Sequence, residues 1–422
     1  MVVGSQDLTV RGCGITRLYL VTRRGNVGDR MLAVSPDFDR DVSVDASAGF
    51  GAPGPYRIQW SQDGQQVYFL VTDRGCIHVY RLDVVWRSML QLTTQEAMTG
   101  FLALFPNGQS LLLAQAFSDH PWELSRLPLT AVGAGEPQRL THLYDNWLAA
   151  IRWGKSEHLC YKGANGDEID GWLLHPVRAR EGVRYPLMVH IHGGPNGAYG
   201  VGMNPLYHYY AAQGYAVFYC NPHGSTGSGE AFMRAVLGDW GGQDFQDIML
   251  GVDQCIARGI VDPERMVVTG YSYGGFMTMF IIGHTDRFKA AVPMAAVSNL
   301  VSFVGTSDLG FWLVTQAQGY PWDPERAAYY RERSPLTHAP DVTTPTMIVH
   351  PENDLRCPIE QSEQFYMTMK MIGKTPVELV RVPAAWHGGT TKPSFFRPEK
   401  ALEWFGKYIE MRPEEYEGEG AL

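Results

Sequence analysis

The sequence predicts a doubly wound α/β domain preceded by an all-β partial propeller of about three blades. Three observations carry this reading. Up to about residue 153, short apolar runs alternate with tight-turn signals at a regular spacing. From about residue 160, apolar runs alternate with helical patterns. A serine flanked by glycines, in "GYSYGGF" at 270–276, sits where one of those runs passes into a helix. The expected division is residues 1–153 for the blades, 154–412 for the α/β domain and 413–422 for an acidic tail.

The blade reading rests on repetition. "QQVYFLVTDRGCIHVYRLDV" offers two apolar runs around "DRG", a hairpin signal, and "GQSLLLAQAFSDHPWELSRLPL" repeats it with a longer loop. Each follows a turn, "SQDG" ending at Gly64 and "FPNG" ending at Gly108, 44 residues apart. A third aromatic-led turn, "IRWG", ends at Gly154, another 46 residues along. A period in the forties with four short strands per unit is the pattern of propeller blades. Partial strands near 18–21 and 31–34 bring the count to about three, and "GNVGDR" between them reads as a turn. Propellers close with roughly four to eight blades. An open arc is therefore expected, with strand edges available to a second copy or a partner chain.

In the second part, "PLMVHIHGG", "YAVFYCNPHG", "MVVTGYS", "AAVPMAAV", "TMIVHPEND" and "VELVRVP" read as buried parallel strands. Between them, "DFQDIMLGVDQCIARG" places Phe245, Ile248, Met249, Val252, Cys255 and Ile256 on one helical face. "CPIEQSEQFYMTMKMIG" has Pro358 near a helix start and Gly373 at its stop. "RPEKALEWFGKYIEM" reads as the closing helix, and the tail after it as frayed. Such alternation builds a doubly wound sheet.

Bulk properties narrow the function. The 422 residues are 45% hydrophobic and 19% charged, with a formal net charge of −9. That balance argues against nucleic acid as the main partner. No run approaches the ~18 apolar residues of a membrane span, and the start lacks the basic and apolar regions of a signal peptide. Cys13, Cys76, Cys160, Cys220, Cys255 and Cys357 are scattered, as expected of reduced thiols in a cytoplasmic protein.

The serine can now be placed. The strand ending at Thr269 enters Gly270-Tyr271-Ser272-Tyr273-Gly274 and a helix follows, the context that G-x-S-x-G requires in an α/β-hydrolase. Glycines at 270, 274 and 275 permit the sharp bend, and the helix N-terminus favours developing negative charge. A serine hydroxyl needs a base, and the base an orienting acid, which in this fold follow in the order serine, acid, histidine. Four histidines follow Ser272: His284, His338, His350 and His387. Only His387, in "AAWHGG", sits in a free loop after the last strand. The loop after "TMIVH" offers Glu352 and Asp354, and Asp354, further along it, is the chosen acid; the competing reading is a helix cap. Oxyanion donors are expected from the Tyr273 backbone N–H and from "HIHGGPNG", where Gly194 is preferred over Gly193. His190 and His192 lack a third metal ligand at convincing spacing, so neither a metal nor another cofactor is expected. "GSTGSGEAF" mimics a dinucleotide fingerprint without its third-glycine spacing.

"HGGPN", "NPHGSTGSGEAF", "GDWGGQD", "GYSYGGFMT", "RERSPL", "HPENDLRCPIEQSEQFY" and "WHGG" occur in an order that resembles the prolyl oligopeptidase family, most closely its acylaminoacyl peptidase and oligopeptidase branch. The resemblance is strong over residues 155–412 and weak over the blades. It implies a serine peptidase whose α/β-hydrolase domain is capped by a propeller that admits short peptides. It also implies Ser272 as nucleophile, Asp354 as acid and His387 as base. Asp354-x-Arg356 resembles the arrangement in which the arginine holds a substrate carbonyl; a structural ion pair is the alternative. Val297, Leu300 and Phe303 correspond to the pocket for the residue before the cut, though core packing explains them equally well. The chain departs from the pattern in its short propeller, in Pro351 after the histidine, and in lacking an assignable glutamate pair for an amino terminus. An esterase of the same fold, or a truncated relative serving as an interaction subunit, are the competing functions.

Overall fold

A computed structural model describes residues 58–389 and 396–412 without a break, together with 2–4, 14–22, 30–34, 37–47, 49 and 415. Cys13, the turn expected at 25–29 and most of the acidic tail lie outside the described residues. The first part is three antiparallel sheets in series. Val2–Gly4, Arg17–Thr22 and Arg30–Ala33 form the first. Gln59–Trp60, Gln66–Asp73, Cys76–Asp83 and Met89–Gln91 form a four-stranded meander. Met98–Leu104, Ser110–Phe117 and His120–Thr130 form the third, with Gly133–Ala134 and Gln138–Arg139 both pairing along its long strand.

The repeat has a physical basis. Gly64 donates its N–H to Ser61 O at 3.0 Å, and Gly108 donates to Phe105 O at 2.8 Å. Both glycines have φ near +70°, so each turn needs a residue without a Cβ penalty. The "DRG" hairpin closes with Asp73 opposite Cys76, and Arg74 and Gly75 both at positive φ, the tight turn that suits twisted strands. The second hairpin is as short: Phe117 lies opposite His120, so the longer loop expected there is a two-residue turn. "IRWG" is not a third copy. Gly154 follows the helix Asp145–Ala150 and precedes a strand of the other sheet, and a Cβ there would meet His175 O at 2.3 Å.

That sheet has eight strands, numbered here within it: β1 Ser156–Lys162, β2 Glu168–Leu174, β3 Tyr185–Ile191, β4 Ala216–Asn221, β5 Val261–Tyr271, β6 Ala290–Met294, β7 Thr346–Pro351 and β8 Val377–Val382. Their spatial order is β1-β2-β4-β3-β5-β6-β7-β8, and the six strands read from the sequence are the parallel ones. β1 and β2 add an antiparallel hairpin, so the sheet is mixed rather than wholly parallel. Helix Gln243–Ala257 lies against the core with Ile248, Val252 and Cys255 as expected, but it also buries Asp244 and Asp247. Helix Glu360–Ile372 stops at Gly373 with φ +69°. Glu415, in the tail expected to fray, is buried and holds the guanidinium of Arg265.

The blades are fastened to the sheet. One apolar core runs from Leu70, Ile77, Leu111 and Leu113 of the blades into Trp172, Val217 and Met294 of the α/β part. "GSTGSGEAF" belongs to this contact: Gly227 O accepts from Arg74 N–H, and a Cβ on Gly229 would meet Asp39 Oδ2 at 2.5 Å. Its glycines let two chain segments approach. Arg74 grips the buried Asp170 of β2 through two hydrogen bonds, 2.7 and 3.0 Å, and His158 Nε2 lies 2.9 Å from the same carboxylate. Burial pushes the Asp170 carboxyl up, but the bonds from His158 and Arg74 together outweigh it and hold it below its usual range.

Arg74→Ala is expected to lower unfolding free energy by about 2 kcal/mol, less than for a wholly buried pair because His158 still faces Asp170. A depressed carboxyl stabilises above its unfolded pKa of about 4, and the contribution is lost as pH falls through the folded value. Urea titrations of the parent, of Arg74→Ala and of Asp170→Asn between neutral and acid pH check both; equal acid sensitivity in the parent and Asp170→Asn would contradict the assignment.

Candidate active site

β5 ends at Tyr271 and the helix Tyr273–His284 begins two residues later, leaving Ser272 alone at the turn with φ +63° and ψ −120°. A non-glycine residue holds such angles only where its surroundings enforce them. Here Ser272 N–H donates to Met294 O at 2.9 Å, and Phe276 N–H donates to Ser272 O at 2.9 Å. The glycines supply closeness. A Cβ on Gly270 would lie 2.5 Å from Gly274 O, one on Gly274 2.1 Å from Ile191 O, and one on Gly275 2.5 Å from Met294 O.

His387 Nε2 lies 3.0 Å from Ser272 Oγ, and His387 Nδ1 lies 2.7 Å from Asp354 Oδ2. Asp354 is 3% exposed, and its other oxygen accepts the N–H groups of Arg356 and Cys357, each at 2.9 Å. The three residues picked from different loops thus form one hydrogen-bonded line. The remaining histidines are occupied elsewhere: His284 with Phe280 O, His338 with Glu332 O, and His350 with Ser362 Oγ and Cys357 O. His190 and His192 point to separate partners, Tyr199 OH and Ser225 Oγ.

The other expectations divide. A Cβ on Gly193 would stand 4.0 Å from Ser272 Oγ, whereas one on Gly194 would meet Asn196 N and Gly197 N of its own turn. The turn that carries both glycines thus runs beside the serine. Arg356 pairs with Asp308, Nε to Oδ1 at 2.8 Å and Nη2 to Oδ2 at 3.3 Å. Val297, Leu300 and Phe303 are 4%, 0% and 2% exposed and belong to the core under the sheet. Their side chains pack against one another and their neighbours there.

Several supporting residues were not legible beforehand. Tyr271 OH accepts the N–H of Gly388, and its ring lies 5.2 Å from that of His387, so it steadies the histidine loop. Tyr273 points the other way and donates its hydroxyl to Asp244, inside the core. Burial pushes the Asp244 carboxyl up to about 6 despite that bond and two more from the Gly241 and Phe245 N–H groups. His350 bonds to Cys357 O, bracing the loop that carries Asp354, and Cys357 Sγ lies 3.9 Å from Ser272 Oγ.

Tyr273→Phe leaves the Asp244 carboxyl short of a donor and is expected to cost about 1–3 kcal/mol of stability. A carboxyl raised from 3.8 to about 6 binds its proton more tightly when folded, so its contribution falls as pH rises through that interval. Asp244→Asn is expected to flatten this slope in thermal melts; an unchanged slope would contradict the assignment.

Residues 204–412 match the model of the prolyl oligopeptidase family. The uncharacterized peptidase YuxL of Bacillus subtilis (strain 168) is 37% identical over 355 residues, covering 83% of this chain and 53% of that protein. The Pyrococcus horikoshii acylaminoacyl peptidase superposes with a TM-score of 0.78 at 25% identity, covering 97% of this chain and 61% of that one. An acylaminoacyl peptidase in complex with Z-Gly-Gly-Phe-chloromethyl ketone gives the same TM-score and coverage at 26% identity. The chain spans about half the length of the curated relatives it matches. By its matched segment, its serine-centred turn and its blades-plus-sheet architecture, the chain belongs to the prolyl oligopeptidase family.

Proposed function

We propose that the chain is a serine peptidase that hydrolyses short peptides, including N-acylated ones, through an acyl-enzyme. The observation that carries this is the line Ser272 Oγ, His387, Asp354, with contacts of 3.0 and 2.7 Å. Ser272 Oγ attacks the scissile carbonyl carbon while His387 Nε2 takes its proton. Asp354 holds His387 Nδ1–H and offsets the charge on the imidazolium. The oxygen that gains the negative charge is met by the Tyr273 N–H and by an N–H of the 193–194 turn. The C–N bond then breaks as His387 returns the proton to the leaving amine. Water then attacks the acyl carbon as His387 Nε2 takes its proton, and the bond to Ser272 Oγ breaks as His387 returns that proton to Oγ, releasing the acid. Arg356, paired with Asp308 along one edge, offers the rest of its fork to a substrate carbonyl.

The related acylaminoacyl peptidase that holds a peptidyl chloromethyl ketone supports peptides as the substrate class. The five described cysteines are free thiols, which supports a reducing compartment such as the cytoplasm. Among the described residues, no helix is long and apolar enough to cross a membrane.

Ser272→Ala is expected to abolish labelling by a fluorophosphonate probe and to lower kcat by about 10⁴-fold or more while leaving the fold intact. Persistent labelling of that variant would remove Ser272 from its role. Acyl-amino-acid anilides should be cleaved as well as short nitrophenyl esters; cleavage of the esters alone would make the protein an esterase.

A further inference from the structure

The third blade sheet carries a buried polar patch on the face it turns toward the second. Across its strands, Leu104, Leu111 and Leu127 lie side by side, then Leu102, Leu113 and Ser125, then Thr99, Gln115 and Glu123. The leucines of the first two rows pack into the shared core. The last row is polar and nearly as buried: Thr99 is 0% exposed, Gln115 1% and Glu123 4%. A cavity of about 200 Å³ opens on it, floored by Gln115, Glu123 and Ser125 and rimmed by Gln95, Phe117 and Arg139. None of the Ser272 machinery lines it.

The ionisable groups that line this cavity already have partners, His120 Nδ1 lying 3.3 Å from Asp119 Oδ1. Glu123 Oε1 takes Arg139 Nη2 at 3.1 Å and the Tyr144 N–H at 3.2 Å, and its other oxygen takes the Thr141 hydroxyl. Arg139 is further bound to Asp145 and to Thr141 O. What is unmatched is neutral polarity. Neither Gln115 Oε1 nor Gln115 Nε2 has a hydrogen-bond partner among the described residues, and the same holds for Gln95 Oε1 and Thr99 Oγ1. Buried polar groups are normally hydrogen-bonded, and an amide left bare on both atoms is rare.

We propose that this cavity binds a small neutral molecule through a carboxamide or peptide-amide group. Such a group presents one acceptor and N–H donors in the arrangement that pairs with the Gln115 amide, and Gln95 Oε1 adds a second acceptor at the rim. An ion is disfavoured, because both Glu123 oxygens already accept from protein donors and Arg139 is already shared between Glu123 and Asp145. The volume lies below that of drug-sized sites, roughly 300–1,000 Å³, and suits a single capped amino acid. Phe117 supplies an apolar wall. The inference is independent of the peptidase reading.

The test uses the full chain with N-acetylglycinamide as probe and the methyl ester of N-acetylglycine, which lacks the terminal N–H donors, as its comparison. Calorimetry on the Ser272→Ala protein avoids turnover. The expected result is saturable binding of the amide, with the ester weaker, and a loss of about 10-fold or more on Gln115→Met. Hydrogen exchange on the unmutated chain should slow over residues 113–116 when the amide is added, which reads the site even if Gln115→Met misfolds. Absence of saturable amide binding, equal binding by Gln115→Met, or protection confined to other segments would overturn the proposal.

Discussion

A serine held at φ +63° between a strand and a helix is the constraint on which the rest of the molecule turns. Left to itself that backbone would relax, because a side chain disfavours the conformation by an energy on the order of 1–3 kcal/mol. It persists because β3 and β6 close around it: Met294 O receives the Ser272 N–H, and Ile191 O leaves no room for a Cβ at Gly274. Three neighbouring strands of one sheet therefore set a single dihedral angle. The two tyrosines beside the serine extend this outward and inward. Tyr271 reaches the histidine loop, and Tyr273 is tied to Asp244 in the core.

The same economy governs the acid. Asp354 is surrounded by its own loop, with two backbone N–H groups on one oxygen and His387 on the other. A carboxylate so held faces His387 Nδ1 and leaves Nε2 toward the serine, the arrangement the proposed reaction needs. His350, buried and bonded to Cys357 O, braces that loop from β7. The blades contribute from further away, through a shared apolar core and the Arg74 grip on Asp170.

Much of this was legible in the amino acids because local chemistry and tertiary demand coincide. The six parallel strands are long apolar runs, and the serine turn is marked by glycines that nothing else explains. His387 and Asp354 follow from chain order once that turn is recognised. The blade turns at Gly64 and Gly108 were legible for the same reason, a positive φ that recurs. Where sequence reasoning failed, the signal was shared with another structure. "IRWG" looks like a blade turn but opens a strand of the mixed sheet. β1 and β2 carry polar residues such as Glu157, His158, Glu168 and Asp170, whose places are set by partners distant in sequence. Asp244 lies outside the apolar face read for its helix, yet it is buried where Tyr273 meets it. Val297, Leu300 and Phe303 satisfy a pocket and a core equally well as letters, and they pack within the core cluster.

The account stands on His387 lying beside a nucleophilic Ser272 within a site that accepts a peptide. Treating the chain with Z-Gly-Gly-Phe-chloromethyl ketone and mapping the adduct by mass spectrometry tests this directly. The reagent's electrophilic methylene reaches the imidazole only when the serine has engaged the adjacent carbonyl. The expected result is stoichiometric alkylation of His387, greatly slowed in Ser272→Ala. Alkylation at other residues with His387 untouched, or at His387 with equal speed in both proteins, would contradict it.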